Sequence, residues 1–180
     1  HTIFIFTSDN GGLLSDSSQF PLWGGKAQLH EGGIRVPLLV RWPGRIPAGR
    51  VRLTPVISVD LLPTLLELTG RALPRERVVD GVSLAGHLRG GPPPDREAIF
   101  WHYPHYHSAG DGGPASAIRA GDWKLVEYHE YTVAGAGRAP ELFNLKDDPA
   151  ESRNLARTEP GRTRDLLAKL AAFRHATGAQ

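Results

Sequence analysis

Apolar positions run almost unbroken through Thr2-Ile3-Phe4-Ile5-Phe6-Thr7-Ser8, and many are β-branched or aromatic. That pattern predicts a strand buried on both faces, as in a parallel sheet. Comparable runs at residues 36–42, closed by Pro43-Gly44, and at 56–59 read as further strands. Asp60 is placed to cap a helix whose first turn tolerates Pro63 and whose natural stop is Gly70. Leu61, Leu62, Leu65, Leu66 and Leu68 give that helix one wide apolar face. Val79-Asp80-Gly81-Val82 reads as a turn, and Ser83 as the cap of a short helix ending at Leu88.

Gly90-Gly91-Pro92-Pro93-Pro94 is the strongest punctuation in the chain, since three prolines continue neither a helix nor a central strand. The pattern then changes. Residues 98–103, 116–119 and 123–128 alternate as strands, the last two joined by a tight Gly121-Asp122 turn. A short strand at 141–145, a turn at 146–149 and a helix over 159–176 follow, the helix carrying Leu166, Leu167, Leu170 and Phe173 on one face. The predicted class is α/β. Residues 1–89 read as the later part of an α/β domain, 90–95 as a linker, and 96–180 as a small α+β subdomain of antiparallel sheet plus terminal helix.

Composition narrows the function classes. The 180 residues include no cysteine, which excludes disulfides, thiolate metal sites and a cysteine nucleophile within them. There is no methionine either, even at position 1, so the chain is expected to start inside a longer product. A net charge of +2 is too small to argue for nucleic acid, and no apolar run approaches the roughly 18 residues of a membrane span.

Three segments carry candidate chemistry. Asp9 and Asn10 follow the first strand directly, where open α/β sheets gather ligands, and offer oxygen donors suited to Ca²⁺ or Mg²⁺. The same Asp-Asn-Gly is also simply a good turn, and spacing alone favours the turn. Lys26 ends a Gly24-Gly25-Lys26 loop and could neutralise charge on an anionic ester; alone, it reads as a solvated lysine. Trp101-His102-Tyr103-Pro104-His105-Tyr106-His107 fits a polar-aromatic loop that lines a sugar pocket, with His102 and His105 as hydrogen-bonding groups, as readily as a surface loop. In a strand His102 would point away from Tyr103. Glu31-Gly32-Gly33-Ile34-Arg35 suggests close backbone packing, with Arg35 paired to Glu31 or to another buried carboxylate in a structural role.

Taken in order, these pieces resemble the sulfatase family. They are Thr7-Ser8-Asp9-Asn10-Gly11, Gly24-Gly25-Lys26, Glu31-Gly32-Gly33-Ile34-Arg35-Val36-Pro37 and Trp42-Pro43-Gly44, then Val59-Asp60-Leu61-Leu62-Pro63-Thr64-Leu65-Leu66 and Asp80-Gly81-Val82-Ser83-Leu84. Gly121-Asp122-Trp123-Lys124-Leu125 and Glu141-Leu142-Phe143-Asn144-Leu145 complete the set. Each is weak and eight in order are specific. The chain looks like the C-terminal portion of a type I sulfatase of the alkaline-phosphatase-like superfamily.

The resemblance implies hydrolysis of a sulfate ester, aryl or glycan, by a formylglycine nucleophile with a divalent cation, usually Ca²⁺. It matches Asp9 and Asn10 to metal ligands and Lys26 to the lysine that contacts sulfate. The nucleophile motif, Cys/Ser-x-Pro-x-Arg, does not occur in residues 1–180. The modification is therefore expected in an N-terminal half that would be this chain's partner, and residues 1–180 alone are expected to be inactive. Two alternatives stand beside this: a phosphodiesterase or phosphonate hydrolase of the same superfamily, and a non-catalytic domain binding a glycan or a partner.

Overall fold

The opening apolar run forms a strand in the computed structural model, but a short one. β1 spans Phe4–Thr7 and pairs with β2, Leu38–Arg41, in a two-stranded sheet. The expected double burial is not met: Phe4, Phe6 and Leu39 are each more than half exposed. A strand with one neighbour keeps one row of backbone groups unpaired and leaves apolar side chains uncovered.

Residues 1–109, 113–135 and 137–179 are described, and they divide into two units. The first comprises His1–Phe6 and Leu38–Arg96. The second joins Thr7–Pro37 to the chain from Glu97 onward.

In the first unit the run at 56–59 is not a strand. Ser58–Asp60 turns as a 3-10 helix and leads into α2, Leu61–Leu68. Asp60 is fully buried, yet its carboxylate does not cap α2. It accepts the Ile57 and Val82 amides, each at 3.0 Å, and pairs with Arg96. Thr64 is buried where the sequence pattern placed leucines: its hydroxyl donates to Asp60 O at 2.6 Å and accepts the Leu84 amide at 2.8 Å. Leu62 and Leu65 are exposed instead. α2 stops as expected, with Gly70 in the left-handed region (φ 70°) and Arg71 N–H donating to Leu66 O at 2.7 Å. No turn forms at 79–82, and Gly81 lies so close to the Val59 carbonyl that a Cβ there would come within 2.1 Å of its oxygen. α3 spans Ala85–Leu88, and the Ser83 hydroxyl accepts the Ala85 amide at 3.2 Å.

The second unit is built on four antiparallel strands in sequence order: β3 (Ile99–Tyr103), β4 (Ala115–Ala120), β5 (Trp123–Tyr128) and β6 (Glu141–Asn144). Gly121 makes the β4–β5 turn with φ 59°. α4, His129–Ala134, was not anticipated, and α5 spans Pro160–Thr177. Alternation sends Ile118, Leu125 and Leu142 to one face, where Leu166 and Leu170 of α5 cover them and Phe100 stacks on Phe173 at 4.3 Å. Ala115, Ala117, Val126 and Tyr128 go to the other face, covered by Leu29 and Ile34 of the 7–37 segment. α5 is fastened by cations: Arg162 lies over the Trp123 ring at 4.1 Å, Arg174 pairs with Glu127 at 2.8 Å, and Lys169 with Glu97. No helix among the described residues is long and apolar enough to cross a membrane.

Candidate functional site

The 7–37 segment carries the first two candidate groups on loops held backbone to backbone. Gly11 N–H donates to Gly33 O at 2.8 Å, Gly32 N–H to Trp23 O at 2.7 Å, and Lys26 N–H to Gly12 O at 3.0 Å. Gly32 and Gly33 open the single turn α1, Glu31–Ile34. A Cβ on Gly32 would meet Gly24 O at 2.2 Å, and one on Gly33 would meet Gln28 O at 2.1 Å. No side chain fits there, as the paired glycines predicted. The Asp9–Gly12 turn and the Gly24–Lys26 loop are therefore brought together through α1 and through each other.

The side chains on these loops are open. Lys26 is exposed and forms no ion pair among the described residues. Its backbone neighbour Ala27 is held at φ 67°, a conformation that costs a non-glycine residue energy and is kept only where surroundings impose it. Asp9 is exposed; its Oδ1 accepts the Asn10 amide at 3.0 Å and faces the Ser8 hydroxyl at 3.4 Å. Asn10 is half-buried. Asp9 and Asn10 supply hard oxygen donors, which suit Ca²⁺ or Mg²⁺ in kind. They fall short in number, and no group of three or more His, Asp or Glu able to hold a metal occurs among the described residues.

The histidines part company. His102 lies with Phe100 on the α5 side of the sheet, opposite the face that the 7–37 segment covers, as alternation from Tyr103 requires. The buried Ser116 hydroxyl sits 2.8 Å from His102 Nδ1 and 2.9 Å from His129 Nε2, and the two rings stack at 5.3 Å. Burial, with Arg174 and His102 nearby, lowers the His129 pKa against the opposing pull of Glu127. His105 is exposed and meets Tyr103 edge to face at 5.2 Å.

Two buried polar clusters escaped the sequence reading. In one, Lys124 Nζ lies 3.1 Å from Glu31 Oε1 and 2.9 Å from Glu151 Oε1, with all three side chains essentially inaccessible. Arg35 pairs with Glu31 at 3.7 Å, as anticipated, and Arg119 reaches the same carboxylate at the same distance. In the other, Glu141 accepts from His30 at 3.0 Å, Tyr128 at 2.8 Å and Arg138 at 2.7 Å. Burial pushes the Glu141 carboxyl up, but these three hydrogen bonds more than offset it and hold the pKa at about 2. A carboxyl lowered in the folded state contributes stability that is complete above its unfolded value of about 4.5 and is lost as pH falls toward about 2. The melting temperature should therefore drop across that window, and Glu141→Gln should flatten the drop. An acid limb unchanged in Glu141→Gln would contradict this.

Residues 22–174 match the family described as N-sulphoglucosamine sulphohydrolase, C-terminal. The chain is 36% identical over 181 residues to a sulfatase of Formosa agariphila, an alignment covering 94% of this chain and 32% of that protein. Its structure is similar to that of Ps i-CgsB in complex with k-i-k-neocarrahexaose, with a TM-score of 0.78 and 29% identity over 95% of this chain and 36% of that one. It is also similar to the phosphonate monoester hydrolase of Agrobacterium radiobacter, with a TM-score of 0.68 and 28% identity over 97% and 35% of the two chains. The chain spans about a third of the length of the curated relatives it matches.

Proposed function

The chain belongs to the sulfatase family as a C-terminal portion, and from that premise we propose that it is part of a hydrolase of sulfate esters, contributing Lys26, Asp9 and Asn10 to the site. Its mixed α/β architecture with antiparallel sheets matches the sulfatase, alkaline-phosphatase-like fold. The observation that supports the functional reading is that the Lys26 backbone N–H bonds Gly12 O, tying the loop that carries Lys26, whose ammonium forms no ion pair among the described residues, to the Asp9–Asn10 turn.

Lys26 in this reading faces the sulfuryl oxygens and offsets the negative charge that builds as the ester S–O bond breaks. Asp9 and Asn10 would hold a divalent cation, Ca²⁺ or Mg²⁺, which when bound supplies further positive charge to the sulfate group. In this reading His105, exposed beside Tyr103, hydrogen-bonds a sulfated sugar, while His102, bonded to Ser116, supports the strand behind it. The attacking group is not among these residues: residues 1–180 contain neither cysteine nor a Ser-x-Pro-x-Arg motif. We assign it, with any formylglycine, to an N-terminal half that completes the site.

The test is turnover of 4-nitrophenyl sulfate with Ca²⁺ present. The full-length enzyme should be active. Residues 1–180 alone should show none, and should bind Ca²⁺ no tighter than roughly micromolar, because Asp9 and Asn10 offer two or three of the 6–8 oxygens the ion takes. Turnover by residues 1–180 that vanishes in Asp9→Ala would overturn the reading. The likeness to a phosphonate monoester hydrolase supports a second one, since a lysine and a hard cation serve a phosphonate ester equally well. A phenylphosphonate ester turned over faster than the sulfate would decide for it.

A further inference from the structure

Lys124, Glu31 and Glu151 come together from three distant stretches of the second unit, β5, α1 and the loop after β6, and their burial has no apolar logic. Lys124 stands in a strand whose same-face neighbours are Val126 and Tyr128, yet it is wholly inaccessible. An isolated buried ammonium is costly, and only close, hydrogen-bonded carboxylates make it tolerable. Glu31 accepts a hydrogen bond from Lys124 at 3.1 Å, and Glu151 adds an ion-pair contact at 2.9 Å. Glu151 does more: its Oε2 accepts the backbone N–H of Glu31 at 2.6 Å, so it grips α1 by the main chain. Its own backbone is held at φ 55°, a conformation a glutamate keeps only when its contacts impose it. Burial pushes the Glu151 carboxyl up against the pull of Lys124, His30 and that amide.

What Glu31 anchors matters more than what it pairs with. The next two residues of α1 are Gly32 and Gly33. Gly32 holds Trp23, at the entrance to the Gly24–Lys26 loop, and Gly33 holds Gly11, at the end of the Asp9–Asn10 turn. Both contacts are backbone hydrogen bonds with no room for a side chain between them. A shift of Glu31 is thus handed to both loops without slack.

We propose that Lys124 and Glu151 are positioning residues: through Glu31 they set where Lys26 and the Asp9–Asn10 turn stand, and thereby the rate at the sulfate site. The proposal rests on the reading of Lys26 as the sulfate-contacting group. It makes neither residue a contact of substrate.

The test uses the full-length enzyme and 4-nitrophenyl sulfate. Glu151→Gln keeps the side-chain volume and an oxygen for the Glu31 amide, and removes the charge that faces Lys124. Its kcat should fall on the order of 10²-fold, the scale of an ångström misplacement, with KM moved less than about threefold. In a Lys26→Ala background the same substitution should cost clearly less than in the wild-type background, because only the Asp9–Asn10 turn is then left to misplace. Equal losses in both backgrounds would overturn the proposal, since a general loss of stability acts whether or not Lys26 is present. Amide exchange gives a readout independent of activity. Gly11, Lys26 and Gly32 should exchange faster in Glu151→Gln while Ile118 and Leu125 keep their protection. Unchanged exchange over residues 9–33 would sink the proposal whatever the activity. If instead Lys26→Ala alone leaves turnover intact, the sulfate reading fails, and the exchange comparison still decides whether the cluster places the loops.

Discussion

Lys124→Met is expected to cost the second unit roughly 3–5 kcal/mol, the usual penalty for removing one member of a buried ion cluster. Methionine fills nearly the same volume, so no cavity contributes much. The cost is electrostatic: the inaccessible Glu31 and Glu151 lose their nearest cation, while Arg35 and Arg119 stand 3.7 Å from Glu31. Against a total stability of about 5–15 kcal/mol the loss is severe, and for a chain of this size it lowers the melting temperature by about 10 °C. The loss should also depend on pH in a stated direction. With the ammonium gone, the Glu151 carboxyl, already pushed up by burial, loses the Lys124 charge that pulls it down, so its folded-state proton affinity rises further above the unfolded one. Stability is then recovered as pH falls and lost as it rises, and the penalty should be smaller near about pH 5 than near about pH 8. Urea denaturation at both values checks this. A penalty below about 1 kcal/mol, or one independent of pH, would mean the carboxylates find another partner.

Lys26→Ala in the full-length enzyme is expected to lower kcat on the order of 10²–10³-fold, the range for removing one preorganised group that stabilises transition-state charge. Lys26 is exposed and its side chain holds no other element in place, so the folded state should be nearly unchanged. Only its amide, which alanine retains, bonds Gly12. The effect should fall on kcat more than on KM if the contact strengthens as charge builds. Lys26→Arg should recover part of the rate by keeping the charge, though a fork of nitrogens on a longer arm does not reproduce a point ammonium. Wild-type turnover in Lys26→Ala would remove Lys26 from the site.

The second unit was largely legible because its signals are local. Gly121-Asp122 sets the β4–β5 hairpin, and period-two alternation sorts Ile118 and Leu125 from Ala117 and Val126. Leu166 and Leu170 show the buried stripe of α5. The first unit was less so. Leu62 and Leu65 look like core but stand exposed, while Asp60 and Thr64 look like surface and are buried. Their burial is set by hydrogen bonds to Val82, Leu84 and Arg96, which no window of periodicity contains. The candidate groups Asp9, Asn10 and Lys26 were found through motif order, whereas Lys124 and Glu151 were not. One signal was there to use. Lys124 shares its alternation with Val126 and Tyr128, so a strand with that face inward must bury a lysine, and a buried lysine needs carboxylates. Which carboxylates is a matter of tertiary contact.

The ties that fix the candidate loops span long stretches of chain. Glu31 reaches Lys124 across 93 positions and Glu151 across 120, and His30 reaches Glu141 across 111. The strands of the four-stranded sheet are consecutive in sequence, joined through residues 104–114, 121–122 and 129–140. Closing a long loop costs entropy before any contact repays it, so contacts of wide separation form late. The sheet with α5 can assemble from its own stretch of sequence, while the 7–37 segment must wait for Lys124 and Glu151 to be in place before it can dock. On that order of assembly the candidate loops are expected to be the last part of this unit to fold and the first to be released when it loosens.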